Sequence, residues 1–283
     1  MRPHKALLVL GLVAVTGFSL LVSGCSSDRN SSNLTPGSLT DPNFVAVQTE
    51  VNNLIDSTVS YITEGLNNLL VLPGDTDVII VSYGPTPGDS VSADYVYENG
   101  WHIVSWTGNF SGKTSSFKDS IQFLDNLGQP QQDNNSTETL IFKHMWAEST
   151  IDTTVSFTDY SGVVALTLDN LGSGSATVSG SHSIDVSIKT VTVDSTVWRD
   201  ISVEGTVSNL AISEVPGGWL QNCPSSGTIG VTANMTYSKD SGSPVTSDWS
   251  FSIQFTDGSI SVGAISGTTS WSYTGQICIA PSQ

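Results

Sequence analysis

Thr228-Ile229-Gly230-Val231-Thr232-Ala233-Asn234-Met235-Thr236-Tyr237 decides the fold. Ile229, Val231, Ala233, Met235 and Tyr237 take alternate positions, and small or polar residues fill the places between. Successive side chains of a strand point to opposite faces. The pattern therefore predicts a half-buried antiparallel strand, apolar inward and polar outward.

The same period extends both ways along the chain. Trp249, Phe251, Ile253 and Phe255 repeat it, as do Trp271, Tyr273 and Ile277. Upstream, Val197, Ile201, Val203 and Val207 do so with Arg199 on their face and Trp198 off it. Ile184, Val186 and Ile188 hold even positions, then Val191 and Val193 odd ones. That change of phase predicts a bulge or turn near Lys189-Thr190. Asn99-Gly100 and Asp257-Gly258 read as hairpin turns. From Asp77 onward about a dozen strands can be counted, which is many for one open sheet. The expected fold is mainly β: an antiparallel barrel, half-barrel or sandwich over residues 75–283, with one helix packed on it as a single domain. Residues 126–137 are the most loop-like internal stretch and mark where a subdomain boundary would fall.

The helix is expected over 41–72, before the strands. Asp41 suits the N-cap and Pro42 the first helical position. Phe44, Val47, Val51, Leu54, Ile55, Val59, Ile62, Leu66, Leu69 and Leu70 then recur at steps of three and four, which makes one apolar stripe. Pro73-Gly74 ends it. Before it, residues 25–40 have the Ser/Asn-rich composition of a flexible tether, on the order of 20 Å in reach.

The first 24 residues are a leader. Arg2, His4 and Lys5 give a positive start, Ala6 to Val15 is apolar, and small residues follow. The run is short for a membrane-spanning helix. Leu21-Val22-Ser23-Gly24-Cys25 resembles the lipobox of bacterial lipoproteins, in which cleavage precedes a cysteine that carries lipid. The resemblance implies that Cys25 is the first mature residue and is acylated, palmitate being the type of group carried. It also implies a bacterial cell-envelope location. Ser26 rather than Asp after the cysteine resembles an outer-membrane address, facing periplasm or surface.

Composition narrows the function classes. Nine Lys and Arg stand against 26 Asp and Glu, a formal net charge of −17. Phosphate contacts need the opposite balance, so nucleic acid is disfavoured as a partner. If Cys25 is acylated, Cys223 and Cys278 remain as a pair in an oxidising compartment and are expected to form a disulfide. In a chain-entropy model that bond contributes about 4 kcal/mol.

Residues with chemistry are scattered. His102, Val104 and Trp106 share one strand face, and His144 shares another with Phe142 and Trp146. No HExxH, GxSxG or SxxK motif organises a nucleophile or metal. Asp119 with Asp125, and Asp152 with Asp159, bracket strands at places where turns favour Asp. Asp75, Asp77 and Asp133 offer oxygens without the calcium-loop pattern of an EF-hand. No cofactor and no metal is expected. Trp198, off its strand's apolar face, and Trp219, in the turn Pro216-Gly217-Gly218-Trp219, join His102 and Trp106 as candidate ligand contacts, because exposed aromatics stack on sugars or lie against lipid.

Two readings follow, with an enzyme acting on glycans as a third. One is a membrane-anchored, non-catalytic binding module for a hydrophobic or lipid ligand. Its layout is similar to that of periplasmic lipoprotein carriers, in which a half-open barrel is covered by helices. The other is a surface-exposed structural or adhesion module with loop aromatics as contacts and a glycan as ligand. A large apolar cavity between helix and sheet favours the first. A filled core with Trp198 and Trp219 exposed favours the second.

Overall fold

The computed structural model describes residues 34–68, 90–110, 113–132, 136–152, 156–191, 194–213 and 224–276. Residues 1–24, Cys25, Cys223, Cys278, Trp219, Asp75, Asp77 and Asp133 lie outside the described residues.

The chain runs β1 (Thr35–Pro36), α1 (Pro42–Asn68), β2 (Ser90–Glu98), β3 (Trp101–Phe110), β4 (Lys113–Leu124) and β5 (Pro130–Gln131). It continues with β6 (Thr139–Asp152), β7 (Ser156–Asp169), β8 (Ser175–Val191), β9 (Thr196–Ser213), β10 (Ser226–Lys239), β11 (Val245–Thr256), β12 (Ser259–Ser266) and β13 (Thr269–Gln276). All the described strands join one 13-stranded sheet in the order β1-β13-β12-β11-β10-β9-β8-β7-β6-β4-β3-β2, with β5 alongside β4. From β2 to β13 it is an antiparallel meander, and β1 adds in parallel at the β13 edge. The fold is mainly β with one helix, as expected. The sheet is open: among the described residues no pairing joins β2 to the β13 edge, so the barrel form is corrected.

Local sequence explains the joints. Asn99 and Gly100 have φ of 53° and 81°, Asp257 and Gly258 46° and 79°. Two consecutive left-handed residues make the turn whose twist suits a two-residue hairpin. The expected bulge near Lys189-Thr190 is absent, because Ile188↔Arg199, Lys189↔Trp198 and Thr190↔Val197 pair without a shift. It lies in β9 instead. Val207 pairs with Gly180 but Leu210 with Val178, and the neighbour on the other side shifts at the same place. Asn209, with φ of 52°, takes up the extra residue. Opposite it, Gly227 has φ of 115° and a Cβ there would stand 2.5 Å from the Asn209 carbonyl oxygen. The bulge changes which parity faces inward, from Ile201, Val203 and Val207 to Leu210 and Ile212, all buried. The loop after β4 does not divide the sheet, since β4 and β6 pair from Lys113↔Thr150 to Leu124↔Thr139.

The helix packs on one face of the sheet. Asp41 caps it, accepting from the amides of Asn43 and Phe44 at 2.9 and 3.0 Å. Helical structure is described to Asn68, and residues 69–72 of the expected span lie outside the described residues. Phe44, Val47, Val51, Leu54, Ile55 and Ile62 are buried in the common core with the inward residues of β4 and β6 to β13. At one end of α1, Phe44 stacks on Trp271 with ring centroids 5.0 Å apart. At the other, Tyr61 lies 4.6 Å from the His144 ring in β6. Between them Leu54 comes down onto Gly205 of β9, where a Cβ would stand 2.9 Å from its Cδ2. Glycine here is what lets helix and sheet approach this closely.

Candidate functional site

Strand parity sorts the chemistry into an inner face under α1 and an outer face turned away from it. On the inner face register brings Asp119 of β4 opposite His144 of β6, and His144 opposite Val164, which is opposite His182 of β8. The Asp119 carboxylate hydrogen-bonds His144 Nδ1. His182 Nδ1 lies 2.7 Å from Thr58 Oγ1 on the helix. Tyr61 and Trp146 pack against both imidazoles. Burial, aided by the nearby His144, pushes the His182 pKa down to about 4 against an opposing pull from the Leu54 backbone. Because His144 and His182 are only 5% and 1% exposed, a substrate would have to displace α1 to reach them.

His102 and Trp106, two of the four candidate contacts, also face inward and are buried. His102 Nδ1 lies 2.9 Å from the Tyr95 hydroxyl, and burial lowers its pKa. Trp106 stacks on Phe117 at 4.1 Å, nearly parallel. Trp249 and Trp271, read as core, are core. Asp125 does serve a turn, accepting from the amides of Leu127 and Gln129 at 2.8 and 2.9 Å. Asp119 does not; it is inside a strand and faces a histidine. Asp159 is likewise inside β7 and exposed.

The helix flank holds a recess of about 350 Å³, lined by Glu50, Asn53, Glu148, Thr158, Tyr160, Val186 and Ile188. Burial raises the Glu50 pKa, partly offset by its bond to Asn53. The Tyr160 phenol is pushed up to about 12 by burial and by the charges of Glu50 and Glu148. Two carboxylates make this a poor seat for an acyl chain, since an ionised group against hydrocarbon loses its hydration.

The outer face is different. Trp198 is 36% exposed, with the Lys189 ammonium 4.9 Å over its ring. Next to it a groove of about 300 Å³ runs past Asp159, Asp185, Asp200 and Asn234. Sharing Ser161 and Asp185, a second groove of about 420 Å³ continues across β7, β6, β4 and β3. Its floor is the cross-strand row Thr107, Ser116, Ala147 and Ser161. Beside that row stand Lys118, Met145 and Val163.

The chain matches no family model, no curated protein and no solved structure. Its function therefore rests on this geometry alone. Among the described residues no group of three His, Cys, Asp or Glu is placed to hold a metal ion. No described helix is long and apolar enough to cross a membrane.

The sequence places Trp198 off its strand's apolar face, where it stands, but does not show the outer grooves or the Asp119–His144 and Thr58–His182 pairs. The phase of His144 with Phe142 and Trp146 was a usable signal. Its partner required the register of β4 on β6, which a loop of unknown course separates.

Proposed function

We propose that the protein is a lipid-anchored, exported binding module of the bacterial cell envelope, without catalysis, whose ligand surface is the outer face of the sheet. Its sheet is a half-barrel curved round α1, and its anchor is lipid on Cys25. The observation that carries this reading is the contrast between the two faces. Among the described residues the inner face is filled: Phe44, Val47, Val51 and Leu54 have no exposed surface, and the recess beside α1 is walled by carboxylates. The outer face carries an open groove beside exposed Met145 and Val163. A hydrophobic ligand gains most where apolar surface is still in contact with water. The layout of a helix-covered carrier is thus kept, with the ligand moved to the opposite side of the sheet.

A second reading, a surface adhesion module for glycans, is favoured by one observation. Trp198 stands exposed beside a groove of hydroxyls, carboxylates and Asn234, which is the chemistry of sugar recognition.

Intact mass of membrane-extracted protein tests the anchor; a mature chain without acyl mass on Cys25 refutes it. Native mass spectrometry of the full chain, released from mild detergent, tests the ligand face. The expected result is a retained small molecule that Ala147→Trp displaces and Val59→Ala does not. Retention that responds only to Val59→Ala puts the ligand under the helix and overturns the proposal.

A further inference from the structure

The groove over Ala147 also has a polarity. Its floor crosses β3, β4, β6, β7 and β8, four inter-strand steps or about 19 Å in all. The floor side chains are short, so the backbone lies near the surface, while Met145 and Val163 rise beside it, 49% and 41% exposed. Lys118 stands on β4, one strand in from the β3 end and three steps, about 14 Å, from β8; it is exposed and in no ion pair among the described residues. At the β8 end is Asp185. Lys118 is the one cation among the groove's lining residues, and it stands next to the apolar wall, where an anionic head can meet it.

We propose, resting on the outer-face reading above, that this groove binds a single-chain amphiphile with an anionic head, namely a long-chain fatty carboxylate. Its carboxylate pairs with Lys118 and its chain lies over Ala147 against Met145 and Val163. Asp185 repels an anion from the opposite end and so fixes the direction. Methionine suits such a wall because its unbranched, polarisable side chain adapts to a flexible partner.

The test uses the full chain in phosphatidylcholine vesicles with two probes, palmitate carrying a diazirine in its chain and the matching hexadecanol. After illumination, labelled peptides are mapped by mass spectrometry. The expected label falls on β6 and β7, at Met145 and Val163, and is lost in Ala147→Trp. Ser161→Phe, which fills the same row from β7, must do the same, which guards against one variant that fails to fold. Lys118→Glu is expected to reduce palmitate labelling about tenfold, the scale of one charge-assisted contact, and to leave the alcohol nearly unchanged. Label elsewhere, label indifferent to both filling variants, or equal loss for acid and alcohol overturns the proposal. If the native spectrum shows a retained molecule that Ala147→Trp displaces while palmitate fails to label, the outer-face reading stands and the fatty carboxylate falls.

Discussion

Nδ1 of His182 lies 2.7 Å from Oγ1 of Thr58, and that same oxygen lies 2.7 Å from the carbonyl oxygen of Leu54. A hydroxyl has one proton. The carbonyl can only accept, so Thr58 donates to Leu54 and must accept from His182. The imidazole therefore carries its proton on Nδ1, and Nε2, buried and without a hydrogen-bond partner, is the bare nitrogen. Adding a second proton would put an unpaired charge into the core.

Acid sensitivity follows. The folded-state pKa of about 4 lies below the unfolded value near 6.5, so the unfolded chain takes up the proton first. Stability from this group is complete above pH 6.5 and is lost as pH falls towards 4, by about 3 kcal/mol at most. Urea unfolding at a series of pH values reads it. His182→Gln should remove this loss, so the wild-type-minus-variant difference should fall by up to about 3 kcal/mol as pH drops through that window, and a difference that stays flat would sink the assignment.

The close seat of α1 on β9 is sensitive to one methyl group. Gly205→Ala forces its Cβ against Leu54 and should cost about 1–3 kcal/mol by overpacking. Leu54→Ala alone should cost about 2–5 kcal/mol as a cavity. In the double variant the two should cost less than their sum, because each relieves the other's defect. Strict additivity in chemical denaturation would show that the contact is not what holds the helix there.

Asp41→Ala should lose about 1 kcal/mol, and Asp41→Asn almost nothing, since an amide oxygen can still accept from Asn43 and Phe44. Equal losses would mean that charge at the helix start matters more than the cap.

The tryptophans divide by face. Trp198→Ala should change stability by less than about 0.5 kcal/mol, whereas Trp271→Ala should cost about 3–5 kcal/mol. Trp271 is stacked on Phe44 and donates from Nε1 to the Ser38 carbonyl at 3.0 Å. Thermal unfolding separates the two.

Much of this fold was legible because burial writes itself into parity. The helix stripe, the alternation through Met235 and Phe251, the outward position of Trp198 and both Gly-containing hairpins needed only local chemistry. The bulge was misplaced for a related reason. A change of parity at Val191 signals either a bulge or the end of a strand, and the strand ends there. Asn209, which does carry the bulge, gives no hydrophobic signal of its own. The histidine pairs and the Lys118 groove depend on register between strands, and register is set by turns and bulges rather than by the residues that it brings together.

The β1 strand gives the chain a fixed order of completion. Thr35 pairs with Thr269 and Pro36 with Ser270, while Phe44 rests on Trp271. The first described strand thus waits for the last one. Each hairpin from β2 onward can add to its predecessor as it emerges, because neighbours in the sheet are neighbours in the chain. The helix has no terminal seat until β13 arrives, and until then the growing sheet keeps an uncapped edge. Chains cut short before Trp271 should therefore be the ones that proteases find.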